Sequence, residues 1–367
     1  MANEYIEFLA ERGLSEDDVF PVLANRADLV QKPKFWEGVA NLFLSLPNAS
    51  AKEREQAIRF LDGTLPGRNA NWLIRQLNST LRESFLKAGV PMPDSVLEVG
   101  VFPLGSFNAR AVPRTNGTII LVDTGCMEVL EFCCALSACF SKDRVPQLGK
   151  EFAQGLAKYK IAGDYPDLWN KVPRSDWGKH GQLATYTTNW AEWFVLAHEY
   201  GHHALGHLQN AGHVSHASRF GSVDLQEYPH LCEYEADIWA LWALLEVAKS
   251  TAPDDEFPKA FACSAPFFFL SSLAILEELW RRDGDMPSSH PPAVHRMLIL
   301  EACLSGWGLL DENCFLWANF NMLFEAASEA LFGRKLIPDR PDMELLHKLS
   351  LLSKQLRAGP GMKQRAT

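Results

Sequence analysis

Residues 189–208, NWAEWFVLAHEYGHHALGHL, set His198, Glu199 and His202 into one apolar segment. The spacing predicts a helix, on which His198 and His202 lie one turn apart on the same face. Trp190, Trp193, Phe194, Val195, Leu196 and Ala197 lead into the motif, so this helix is expected in the core. A buried polar group left without a partner costs roughly 2–7 kcal/mol. H-E-x-x-H answers that cost when two imidazoles share one metal ion and the Glu stays off it as a base. Zinc suits the role: it brings the pKa of a coordinated water to roughly 7, and Glu199 is placed to take the proton. The rest of the chain must therefore fold so that this helix is enclosed but its ion remains reachable.

A catalytic zinc takes three protein ligands and keeps one position open. The next expected helix, residues 230–249, begins with Cys232, Glu233, Tyr234, Glu235, Ala236 and Asp237. Glu233 and Asp237 share a face, whereas Glu235 points roughly 200° away. We read Glu233 as the third metal ligand and Asp237 as the carboxylate that orients a ligating imidazole. Glu235 is read as solvated, and Cys232 as a softer alternative ligand on another face. His203 and His207 repeat the four-residue spacing on a different face of the first helix and are read as structural. His180, His213 and His216 are assigned to surface loops.

With those residues in hand, the chain resembles the gluzincin metallopeptidases of the CAAX prenyl protease and HtpX family, including their soluble minigluzincin members. The first motif is followed by E-x-x-A-D at 233–237. Gly117 to Gly125, GTIILVDTG, looks like the family's strand entering a helix, and Asn108-Ala109 matches an element before it. Ser289-His290-Pro291-Pro292, with Arg296 four residues on, is similar to the family's S-H-P-P-x-x-x-R element. The Lit-type phage-exclusion peptidases are a near alternative. The resemblance covers roughly residues 108–296. It implies an α+β, predominantly helical, zincin-like core with a small sheet whose edge strand borders the cleft. That strand, Thr118, Ile119, Ile120, Leu121 and Val122, would hold substrate by β-augmentation. His290 would stabilise the developing oxyanion and Arg296 would support the site. Without the resemblance, Ser289-His290-Pro291 is only a capped helix start.

Elsewhere the chain reads as a frame for that site. Residues 1–94 form short helices, suited to packing or to binding a partner or regulator. Residues 95–300 form the core, 301–358 add helices packed on it, and 359–367 fray. Within the core, 96–102, 107–112 and 118–122 are expected strands, with a turn at Asn116-Gly117. Residues 141–188 show no clean period and are read as an irregular cover over the cleft. Ala260 to Leu276 carry no charge, but Pro266, three Ser and the following Glu277 and Glu278 favour a buried helix over a membrane span. The net charge of −10 and the absence of a strong basic run argue against nucleic acid as a partner. The cysteines show no C-x-x-C and lie in apolar segments, as reduced thiols of a cytoplasmic protein would. The expected function is zinc-dependent endopeptidase action on a protein or peptide. The alternatives are a non-catalytic, zinc-stabilised interaction protein and a zinc hydrolase of small amides.

Overall fold

The computed structural model describes residues 4–12, 70–93, 96–102, 107–114, 116–162, 174–210, 212–218, 221–227, 229–253, 255–283, 290–309, 315–336, 349 and 353–354. The chain is α+β and predominantly helical. Its helices, in order, are α1 Glu4–Ala10, α2 Ala70–Ala88, α3 Thr124–Ala138, α4 Val145–Ala162, α5 Arg174–Ala204, α6 His230–Thr251, α7 Glu256–Asp283, α8 Ala293–Gly306 and α9 Phe315–Phe332. The strands are β1 Val96–Phe102, β2 Ala109–Arg114, β3 Gly117–Asp123, β4 Gly212–Ser218 and β5 Gly221–Glu227.

Three layers enclose α5. On one side lies α6, apolar round nearly its whole circumference and buried accordingly. On another lie α3 and α7, and the small sheet closes the end through β2. The uncharged run of α7 is interior, with 94% of its most apolar window buried. Its serines find partners at short range: Ser272 donates to the Phe268 carbonyl and Ser264 accepts the Trp317 amide. Helices α1 and α2 belong to the same core. Tyr5 donates its hydroxyl to the Val101 carbonyl at 2.7 Å, and its ring occupies the space that a Cβ on Gly100 would need. From α2, Asn78 accepts the Tyr200 hydroxyl and the Leu77 carbonyl accepts the Trp193 indole, so α2 grips the motif helix directly.

Several expectations change. The sheet order is β1-β3-β2, with β3 parallel to β1 and antiparallel to β2. Thr118, Ile119, Ile120, Leu121 and Val122 therefore form the central strand, not the edge. Their backbone groups are consumed on both sides, and they cannot receive a peptide strand. The sequence favours β3 as a strand because β-branched residues fill it, but the same apolar run is what a doubly flanked strand requires. The edge facing α5 is β2. Residues 141–188 are not an irregular cover: α4 and the first half of α5 lie in them, while 163–173 fall outside the described residues. Pro146 at the start of α4 suits a first turn rather than breaking it. Val145, Leu148, Phe152, Leu156 and Tyr159 then make the buried stripe. Gly149 meets Ala326 where α4 crosses α9. Residues 212–218 and 221–227 pair as antiparallel strands rather than lying in a loop, and the side chains of His213 and His216 fall outside the described residues, as does that of His180 on α5. Of residues 1–94, expected as short helices, 13–69 also lie outside them.

One buried carboxylate gives a pH test of this core. Glu277 on α7 accepts the Ala293 amide at 2.9 Å, tying α7 to the start of α8. Burial pushes its carboxyl up to about 7, against the pull of that amide and of Arg296. A folded-state value above the unfolded one contributes stability at low pH that is lost as pH rises towards 7. Glu277→Gln keeps an acceptor for Ala293 and removes the ionisation. Relative to the parent chain, it should gain up to about 3 kcal/mol in urea unfolding between pH 4.5 and pH 8. A difference that stays flat with pH would show that Glu277 ionises at no cost.

Candidate metal centre

Two turns of α5 and the first turn of α6 build the centre. His198 Nε2 lies 3.1 Å from His202 Nε2, and both face Glu233. His198 Nε2 is 3.4 Å from Glu233 Oε2, and His202 Nε2 is 3.3 Å from Glu233 Oε1. An ion held tetrahedrally at about 2.0–2.1 Å has ligand atoms about 3.3–3.4 Å apart. All three donors are buried. The donor set, two imidazoles and a carboxylate with one oxygen facing each ring at about that separation, fits a metal ion.

The triangle depends on how near α6 comes to α5, and Gly201 sets that distance. A Cβ at Gly201 would stand 3.1 Å from the Ala236 carbonyl oxygen and 3.2 Å from the Ala236 Cα. Those are backbone atoms of a fully packed helix, which cannot swing aside. Gly201→Ala gains up to about 1 kcal/mol of helix propensity but overpacks a core by about 1–3 kcal/mol. The expected result is a net loss of about 1–2 kcal/mol in chemical unfolding, with weaker metal binding as Glu233 is pushed off the histidines. A gain in stability would mean that α6 yields.

Behind the triangle the charges are matched. Asp237 Oδ1 sits 2.9 Å from His198 Nδ1, close enough for charge pairing but off line for a good hydrogen bond. Arg296 donates from Nε and Nη2 to the two Asp237 oxygens at 2.7 Å each, and its Nη1 is 3.3 Å from Glu233 Oε2. Burial alone would lift the Glu233 carboxyl, but His290, His198 and His202 outweigh it and hold it well below the usual carboxylate range. Burial alone would likewise lower His198, yet Asp237 and Glu233 bring it up to about 9. His202 is carried down to about 3, chiefly by burial. His290 stands at the rim, a quarter exposed, with Nε2 3.9 Å from Glu233 Oε1.

Glu199 lies beside the triangle without entering it. Its Oε2 is buried and has no hydrogen-bond partner among the described residues. Burial pushes its carboxyl up to about 7, countered in part by His198, by Arg110 and by the Ala111 amide, which donates to it. Arg110 itself is buried and pairs with Asp123 at 2.8 Å. Thus β2 supplies two groups to Glu199 that no motif announced.

The structure brings together His198, Glu199, His202, Glu233, Asp237, His290 and Arg296. It leaves Thr118 to Val122 inside the sheet. It also revises the surroundings of Glu235 and places His207 beyond the end of α5 rather than on another face of it. Glu235 is half-buried and paired rather than simply solvated: its Oε2 is 2.9 Å from His207 Nε2, and His207 Nδ1 is 3.0 Å from His202 Nδ1. With Cys232 they make a second group of donors, all within 4.8 Å of one another. Helical spacing could not reveal this, because α5 ends at Ala204 and His207 lies past the turn. Gly206, with φ +75°, reverses the chain there and brings His207 back against the helix. A glycine just before a histidine at a helix end was the available signal.

Compared with protein-family models, with curated proteins and with solved structures, the chain matches none of them. The functional reading therefore stands on the geometry of the site.

Proposed function

We propose that this chain is a zinc-dependent endopeptidase of gluzincin type, cleaving a protein or peptide substrate in aqueous solution. His198, His202 and Glu233 would hold the ion. The observation that carries the reading is the unpartnered, buried Glu199 oxygen beside three buried donors grouped closely enough to hold one ion. A structural zinc site has four protein ligands and no use for such a base. When bound, zinc supplies Lewis-acid polarisation of the scissile carbonyl and acidifies a water. Glu199 takes the proton of the attacking water and returns it to the leaving amine. His290, at the rim, donates towards the oxygen on which negative charge develops. Arg296 holds Asp237 and Glu233 in place and is a positioning residue.

Substrate would lie along the outer edge of β2. The Asn108 carbonyl accepts from the Asp123 amide, so residues 108, 110, 112 and 114 turn towards β3 and Ala109, Ala111 and Pro113 turn outwards. The outward carbonyls of Ala109 and Ala111 can accept from an extended peptide.

The test combines metal analysis with a search for new peptide N-termini in an unfolded proteome. About one zinc per wild-type chain, lost in Glu233→Ala, together with chelator-sensitive cleavage restored by zinc, is the expected result. Zinc without cleavage would turn the reading into a zinc-stabilised interaction protein. No zinc in the wild-type chain would overturn it.

A further inference from the structure

We propose that His207 and Glu235 form a proton-ordered relay that holds His202 in the tautomer able to ligate metal. The proposal rests on the metal reading of the centre, and both are positioning residues that act through His202.

Two ring nitrogens 3.0 Å apart, His202 Nδ1 and His207 Nδ1, share one proton. Two would set N–H groups head to head, and none would oppose two lone pairs. His202 Nε2 faces His198 Nε2 and Glu233 Oε1, so ligation requires a lone pair there. A neutral imidazole carries one N–H, and on His202 that leaves Nδ1 as the donor. His207 then accepts at Nδ1 and carries its own proton on Nε2, which is 2.9 Å from Glu235 Oε2. The Glu235 oxygen accepts that proton, so each role in the chain is filled once. His207 is buried, which keeps water from substituting for it. The result is symmetrical in function. Asp237 of α6 pairs with His198 by charge at 2.9 Å, and Glu235 of the same helix reaches His202 through His207.

The same count bears on the neighbouring donor group, His207, Cys232 and Glu235. An ion bound there through His207 Nε2 would move the ring's proton to Nδ1, directly against the proton of His202. The relay therefore excludes a second ion beside a filled centre.

The experiment is a Co²⁺ titration of the full chain stripped with chelator, followed by absorbance. The wild-type chain should bind one Co²⁺ with tetrahedral bands and no thiolate-to-cobalt charge transfer. His207→Ala should bind about 10–100-fold more weakly, the usual effect of removing a group that supports a metal ligand. His207→Gln should recover most of that loss, since its carbonyl can accept from His202 and its amide can donate to Glu235. Cys232→Ser should bind like the wild type. Wild-type affinity in a folded His207→Ala chain would overturn the relay. So would a second equivalent of Co²⁺ whose thiolate band vanishes in Cys232→Ser. No Co²⁺ bound by the wild type would remove the metal reading itself, and the relay with it. Should His207→Ala not fold, long-range proton–nitrogen spectra of the zinc-loaded wild-type chain decide the matter. Nδ1–H on His202 with Nε2–H on His207 is expected, and the reverse pattern overturns the proposal.

Discussion

Glu199→Gln is expected to keep its metal and lose peptide hydrolysis by about 10²–10⁴-fold, the usual worth of a placed general base. The triangle of His198, His202 and Glu233 does not include Glu199, and the substitution conserves its shape. Gln can still accept the Ala111 amide, so the link to β2 survives. What disappears is the ability to take a proton. Metal content by elemental analysis and turnover on any substrate found in the cleavage search are the two readings. Metal retained with turnover intact would remove Glu199 from the chemistry. Metal lost would show that the carboxylate belongs to the ligand set, contrary to the distances around His198 and His202.

Arg296→Met should destabilise the protein by about 3–5 kcal/mol, the cost of leaving a buried carboxylate without its partner. Arg296 is 2% exposed and Asp237 1%, so water cannot replace the guanidinium. Two donors at 2.7 Å make the pair bidentate, a geometry that Lys cannot reproduce. Adding Asp237→Asn should recover part of the loss, because the stranded charge is then gone. Urea unfolding of the two variants distinguishes this from simple loss of packing. If the double variant is no more stable than Arg296→Met, then the guanidinium matters for its volume and not for its charge.

Spacing alone made much of this site legible. His198 and His202 at i and i+4, and Glu233 and Asp237 at i and i+4, lie on straight helices, where position in sequence fixes direction in space. Arg296 and His290 came from the resemblance of a short element rather than from periodicity. The misses have a common cause, which is dependence on how elements are arranged. Thr118 to Val122 form the strand that propensity favours, but which strand ends a sheet depends on pairing partners distant in sequence. His207 reaches His202 only because Gly206 turns the chain beyond the helix. Arg110 and the Ala111 amide meet Glu199 across the boundary between sheet and helix. The stripe on α4 was hidden by Pro146, which helix starts accept.

The outer edge of β2 has a consequence for how copies of this chain behave towards one another. An unpaired strand edge ordinarily invites a like strand from another molecule, and so aggregation. Here the Ala109 amide is taken by the side-chain oxygen of Asn108 at 2.9 Å, the Ala111 amide by Glu199, and Pro113 has none to give. A visiting strand meets carbonyls but no donors, so a second copy of β2 cannot complete a ladder with the first. The outer edge of β2 is thus a poor template for a like strand, although its carbonyls remain able to accept.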